Sequence, residues 1–94
     1  LHDYVDPTGR VRDAGRSEYL RDVVAALSSS VEAGVDVRGL YVWSLLDNLE
    51  WDLGYSIRFG LFFVDYATQQ RTLKDSAHWY RDFVARQRAA RQER

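Results

Sequence analysis

From Trp43 to Trp51 the chain places two indoles, two carboxylates and an amide within nine residues: Trp43, Asp47, Asn48, Glu50 and Trp51. These side-chain types suit carbohydrate binding. An indole covers the apolar C–H face of a pyranose, and a carboxylate accepts hydrogen bonds from vicinal hydroxyls. Bonds to a charged group are worth on the order of 1.5–3 kcal/mol each. Plainer readings stand beside this one. Trp43 lies in an apolar run and fits a core position, and Glu50 fits a solvated loop acid. Trp51 is harder to reduce in this way, because a large aromatic between Glu50 and Asp52 is typical of a loop residue that contacts a ligand.

Other chemistries find less support. His2 and His78 are the only histidines and lack ligand spacing, and cysteine is absent, so neither a metal site nor a disulfide is expected. Ser44 and Ser56 sit in no nucleophile elbow, and no glycine-rich phosphate loop occurs. No cofactor is expected.

The cluster needs an element to deliver it. Val37 to Leu46 is rich in β-branched and aromatic residues and nearly continuously apolar from Leu40, which predicts a strand buried on both faces. Before it, Tyr19, Leu20, Val23, Val24, Leu27 and Val31 recur at spacings of three and four, predicting an amphipathic helix from about Arg16 to Ala33 with Gly34 at its C-cap. Leu1 to Gly15 carries two turn signals, Asp6-Pro7-Thr8-Gly9 and Asp13-Ala14-Gly15, and is read as a surface loop. After the cluster, Gly54 to Gly60 reads as loop, Leu61 to Tyr66 as extended, and Ala67 to Gln70 as a turn. Thr72-Leu73-Lys74-Asp75 resembles a capping box opening a last helix, whose apolar face is Trp79, Tyr80, Phe83 and Val84.

Helix, short loop and buried strand in that order make the αβ step of an α/β protein. One strand buried on both faces needs neighbours on both sides to satisfy its backbone, and this chain offers at most one other extended run. The chain also begins at Leu1 and contains no Met. The expectation is therefore a fragment, one piece spanning residues 1–94 of a single larger domain and incomplete on its own.

Composition adds exclusions. A net charge of -1 argues against a nucleic-acid partner, the Arg-rich stretch from Arg86 to Arg94 reading as a solvated helix end. The apolar runs are too short for a membrane span. No signal peptide is visible, and a cytoplasmic protein is expected. Arg outnumbers Lys twelve to one, which hints at a bacterial source.

Val42-Trp43-Ser44-Leu45-Leu46-Asp47-Asn48-Leu49-Glu50-Trp51, followed by Gly54-Tyr55-Ser56 and Arg58-Phe59-Gly60-Leu61, closely resembles glycoside hydrolase family 1. The resemblance extends through Val64-Asp65-Tyr66, Arg71-Thr72, Lys74 to Ala77 and Trp79-Tyr80, and back to Asp6–Arg10 and Tyr19–Asp22. It implies the C-terminal portion of a (β/α)8 TIM barrel: the seventh helix, eighth strand, an active-site loop and the eighth helix. It further implies a retaining β-glucosidase, in which two carboxyl groups about 5 Å apart act as nucleophile and acid/base. The family carries these in Thr-Glu-Asn-Gly and Asn-Glu-Pro motifs. Neither motif occurs here, so no catalytic residue is assigned in this chain. The missing N-terminal part of the barrel is then the implied partner, and the substrate a small β-glycoside or oligosaccharide.

The same resemblance implies substrate-binding roles. Trp43 is the platform beneath the non-reducing sugar, Glu50 holds its 4- and 6-hydroxyls, Trp51 donates its indole N–H, and Phe59 helps wall the pocket. Glu50 also disfavours 6-phosphorylated sugars, since a carboxylate beside a phosphate is repelled. Val23, Ile57 and Leu73 depart from residues common in the family (His, Lys and Pro), and none of them is one of the four binding positions. An inactive sugar-binding remnant of a truncated gene stays open as the alternative.

Overall fold

The computed structural model describes residues 3–49, 54–55 and 57–92. Its elements run β1 (Tyr4–Val5), β2 (Val11–Arg12), α1 (Ala14–Glu32), β3 (Phe62–Val64), β4 (Arg71–Leu73) and α2 (Asp75–Gln92). The strands form two separate antiparallel hairpins, β1 with β2 and β3 with β4.

The first hairpin corrects the reading of residues 1–15 as loop. The Asp6-Pro7-Thr8-Gly9 turn is where expected, but it folds the chain back on itself, pairing Tyr4 with Arg12 and Val5 with Val11. Asp6 makes the turn by accepting the backbone N–H of Thr8 at 2.9 Å and of Arg10 at 3.1 Å through one carboxylate oxygen. Gly9 sits at φ 88°, a conformation that costs a residue with a Cβ far more than it costs glycine.

Helix α1 begins two residues earlier than its periodicity suggests and ends as expected. Gly34 lies at φ 97°, its N–H bonding Val31 O at 3.0 Å, while Val35 N–H reaches Ser30 O at 3.0 Å. That pair of bonds is the Schellman closure, which satisfies carbonyls the helix leaves open.

The N-terminus of α2 is capped differently from the expectation. Thr72 is paired with Phe63 in the second hairpin and does not cap. Asp13, 63 positions away in sequence, does so instead: its carboxylate accepts the backbone N–H of Ser76 at 2.8 Å and the Ser76 hydroxyl as well. A cap supplied by another segment satisfies the same open donors, and no local pattern can reveal it.

The largest difference concerns Val37 to Leu46. Among the described residues no backbone hydrogen bond joins Val37–Trp43 to another extended segment. Pairing appears only at the end of the run, where Leu61 N–H reaches Ser44 O at 2.9 Å, Phe62 N–H reaches Leu45 O at 2.8 Å, and Asp47 N–H reaches Phe62 O at 3.2 Å. Alternate side chains face solvent, with Tyr41, Trp43 and Leu45 exposed by 92%, 78% and 62% while Ser44 is buried. The run has strand alternation without strand partners. Extended backbone becomes a strand only when neighbours take up its N–H and C=O groups, and the described segments supply them on one flank of residues 44–47 alone.

The apolar core is correspondingly thin. Leu20, Leu61 and Ala77 are buried together, with Val42, Phe62, Leu73, Trp79 and Tyr80 packed against them. Trp79 stacks on Phe83 at a centroid distance of 5.5 Å. The radius of gyration is 15.4 Å, against about 12 Å for a compact domain of this length.

Candidate sugar site and the ion pairs beneath it

The segment carrying the aromatic and acidic cluster is fastened chiefly through Asp47. Its side chain is 0% exposed and, among the described residues, takes four donors: Lys74 Nζ at 2.7 Å, Arg58 Nη1 at 2.8 Å, Gly60 N–H at 3.0 Å and Val64 N–H at 3.3 Å. Burial acts to raise the Asp47 carboxyl. The hydrogen bonds from Lys74 and Arg58 and the charge of Lys74 outweigh it, leaving the group below the ordinary carboxylate value.

Lys74 is itself 0% exposed and bridges Asp47 to Asp3 at 2.8 Å. Asp3 also meets Arg16 at 2.6 Å, and Arg16 meets Asp13 at 2.7 Å. For Arg16, burial works to lower the guanidinium, and the hydrogen bonds to Asp3 and Asp13 reverse that. A second amino group of Arg16 donates to the carbonyl of Arg58 at 2.8 Å, so the network closes on the residue beside Phe59. Arg58 lies over the rings of Phe63 at 4.1 Å and Tyr66 at 4.5 Å, favourable placements for a cation.

Two further devices shape the same segment. Asn48 donates its amide to Ser44 Oγ at 3.0 Å and to Leu46 O at 2.8 Å, and Ser44 Oγ donates to Leu46 O at 2.8 Å. Gly60 lies so close that a Cβ there would stand 2.3 Å from the Leu46 carbonyl carbon and 2.4 Å from Asp47 N. The peptide between Trp43 and Ser44 is cis.

Of the four residues expected to bind sugar, Trp43 is exposed and Phe59 half-buried. The backbone brings their neighbourhoods together, because Leu61, two residues past Phe59, bonds to the carbonyl of Ser44, one residue past Trp43. Glu50 and Trp51 lie outside the described residues. Among the described residues no group of three or more His, Cys, Asp or Glu is arranged to hold a metal ion, and no helix is long and apolar enough to cross a membrane.

Sequence reasoning singled out Asp47 only as part of the polar cluster and gave no position-specific role to Asp3, Asp13, Arg16, Arg58 or Lys74. One signal was available for Lys74, the sole lysine beside twelve arginines. The long-range pairing had none.

The polar segment, the hairpin beneath it and the two flanking helices together form a unit found in carbohydrate-cleaving enzymes. The chain belongs to glycosyl hydrolase family 1, whose family model matches residues 2–89. It is 48% identical over 82 residues to β-glucosidase A of Thermotoga maritima, covering 87% of this chain and 18% of that protein. It is 51% identical over 80 residues to a bifunctional β-D-glucosidase/β-D-fucosidase of Bifidobacterium breve, covering 85% of this chain and 17% of that protein. The structure superposes on a Thermotoga maritima β-glucosidase solved in complex with glucoimidazole, with a TM-score of 0.87, 46% identity, and coverage of 90% of this chain and 19% of the other. The chain thus spans under a fifth of the length of these relatives and has the fold of one segment of them.

Proposed function

We propose that this chain is the glycone-binding portion of a retaining β-glucosidase with a (β/α)8 barrel. Trp43 lies under the non-reducing sugar, Glu50 takes its 4- and 6-hydroxyls, Trp51 donates to a hydroxyl, and Phe59 walls the pocket. The nucleophile and acid/base carboxylates belong to other parts of the barrel, since neither family motif for them occurs in these 94 residues. The chain alone is then inactive, and the barrel's remainder is its partner. The substrate is a small, unphosphorylated β-glycoside, because Glu50 would repel a 6-phosphate. The single observation that supports this most is the family match across residues 2–89, which includes all four binding positions.

These contacts speed catalysis only where they tighten as the ring distorts toward the transition state. The test is a transplant, in which the chain replaces the matching segment of the Thermotoga maritima β-glucosidase. Turnover of 4-nitrophenyl β-glucoside by that chimera, with none by the isolated chain, is the expected result. Glu50→Gln in the chimera should lower kcat/KM by about 10- to 100-fold, the size of one charge-assisted hydrogen bond. A folded but inactive chimera would leave a sugar-site relic and sink the catalytic reading.

A further inference from the structure

Asp47 stands four residues after Trp43 and three before Glu50, and Arg58 immediately precedes Phe59. The ion pair between Asp47 and Arg58 at 2.8 Å therefore joins the two stretches of chain that carry the sugar-binding positions. Lys74, at 2.7 Å from the same carboxylate, adds the start of α2, and through Asp3 at 2.8 Å the N-terminal segment. None of these three side chains is one of the residues assigned to the sugar.

The arrangement does more than fill space. Apolar packing under a loop leaves it free to slide or rotate by fractions of an ångström, whereas a carboxylate with four donors has one orientation that satisfies them all. Two of those donors are backbone N–H groups, of Gly60 and Val64, so the carboxylate sets main-chain position as well as side-chain position. The Gly60 backbone is pressed against Leu46 and Asp47 too closely for any other residue, which makes the register between the two stretches unique.

We propose that Asp47, fixed by Lys74 and Arg58, is the positioning residue of the glycone subsite. It sets the alignment of the Trp43–Leu49 stretch against Phe59, and so, with the subsite read as above, the discrimination between sugars that carry and lack a glycone hydroxyl. This rests on the function proposed above, and the experiment separates the two.

In the chimera, kcat/KM is measured for 4-nitrophenyl β-glucoside and for its 6-deoxy counterpart, in the parent and in the Asp47→Asn and Lys74→Met variants. The expected result is that both variants lose preference for the 6-hydroxyl by about tenfold, the worth of one hydrogen bond to a charged group. The preference between two leaving groups on the same glucoside should stay at the parent's value. Lower yield or stability alone reduces both sugars by the same factor and leaves the ratio untouched, and that outcome overturns the proposal. If these variants do not fold, Arg58 carries the test, since its side chain is 26% exposed where those of Asp47 and Lys74 are 0%. Arg58→Ala should lower the ratio and Arg58→Lys should restore part of it; equal ratios in both would overturn the proposal. An inactive unsubstituted chimera refutes the function reading instead.

Discussion

Replacing Lys74 by Met tests whether the buried charges hold this chain together. Lys74 is fully buried between Asp47 at 2.7 Å and Asp3 at 2.8 Å, and Met keeps most of its volume without its charge. Removing one partner of a buried pair costs about 3–5 kcal/mol, because the remaining charge stays desolvated. The structure points to the lower end. Asp47 would keep Arg58 at 2.8 Å and the N–H groups of Gly60 and Val64, and Asp3 would keep Arg16 at 2.6 Å. With about 3 kcal/mol lost and a urea slope of about 1.5 kcal/mol/M, the unfolding midpoint should fall by about 2 M. The assay is urea unfolding of the 94-residue chain followed by tryptophan fluorescence, for which the three Trp serve as reporters. Adding Asp47→Asn to the Met variant should recover about 1 kcal/mol or more, since the carboxylate left over is then gone and the released Arg58 is partly solvated. A Met variant with an unchanged midpoint, or a double variant weaker by the simple sum, would refute the reasoning.

Four further outcomes follow from contacts described above. Asp47 is held below its ordinary value in the folded chain, so near pH 3 the folded state binds fewer protons than the unfolded one; the stabilisation is complete above about pH 4 and lost as pH falls through the folded value. Asp6 acts in the same direction, its carboxyl lowered from 3.8 to about 2 chiefly by the Thr8 hydroxyl, and Asp6→Asn should flatten the fall in urea midpoint across that window. Gly60→Ala drives a Cβ to 2.3 Å from backbone atoms and should destabilise by about 3 kcal/mol or more in the same urea assay, since backbone cannot yield as a side chain does. Asp13→Ala removes the cap of α2 and one partner of buried Arg16, and should cost about 3 kcal/mol or more, with slowed-exchange amides lost first at Ser76 and Ala77.

What the sequence made legible was whatever is encoded over short distances. The periodicity from Tyr19 to Val31, the Gly34 C-cap, the Asp6–Gly9 turn and the apolar face of the last helix are local, and the structure contains each of them. The local capping pattern points to Thr72, while the working cap of α2, Asp13, comes from a segment 63 positions away. The composition of the Val37–Leu46 run predicts a two-sided strand and asks for cover on both faces. A strand is a property of its partners, however, and Tyr41, Trp43 and Leu45 face solvent here. The burial of Lys74 and Arg16 is not legible locally, because charged residues belong at the surface by default and the fold alone brings Asp3, Asp13 and Asp47 to them. The four residues proposed to bind sugar are legible only through the family pattern, and of these Trp43 and Phe59 fall among the described residues.

On the function proposed above, the placement of the ion pairs follows from what a sugar-binding loop must do. Such a loop has to present aromatic faces and carboxylates to the ligand, so its large apolar side chains are not free to anchor it. Trp43 is spent in this way, exposed and pointing away from the Leu20, Leu61 and Ala77 core. The anchor must then come from small and polar residues between the binding positions, which are Ser44, Asp47 and Asn48. Ser44 and Asn48 tie the loop to itself, and among the described residues Asp47 is the side chain of the three that reaches outward, to Arg58, Lys74 and the Gly60 and Val64 backbone. A single carboxylate with that task must be buried, and a buried carboxylate requires matched cations, which accounts for two otherwise unexpected charges in the interior.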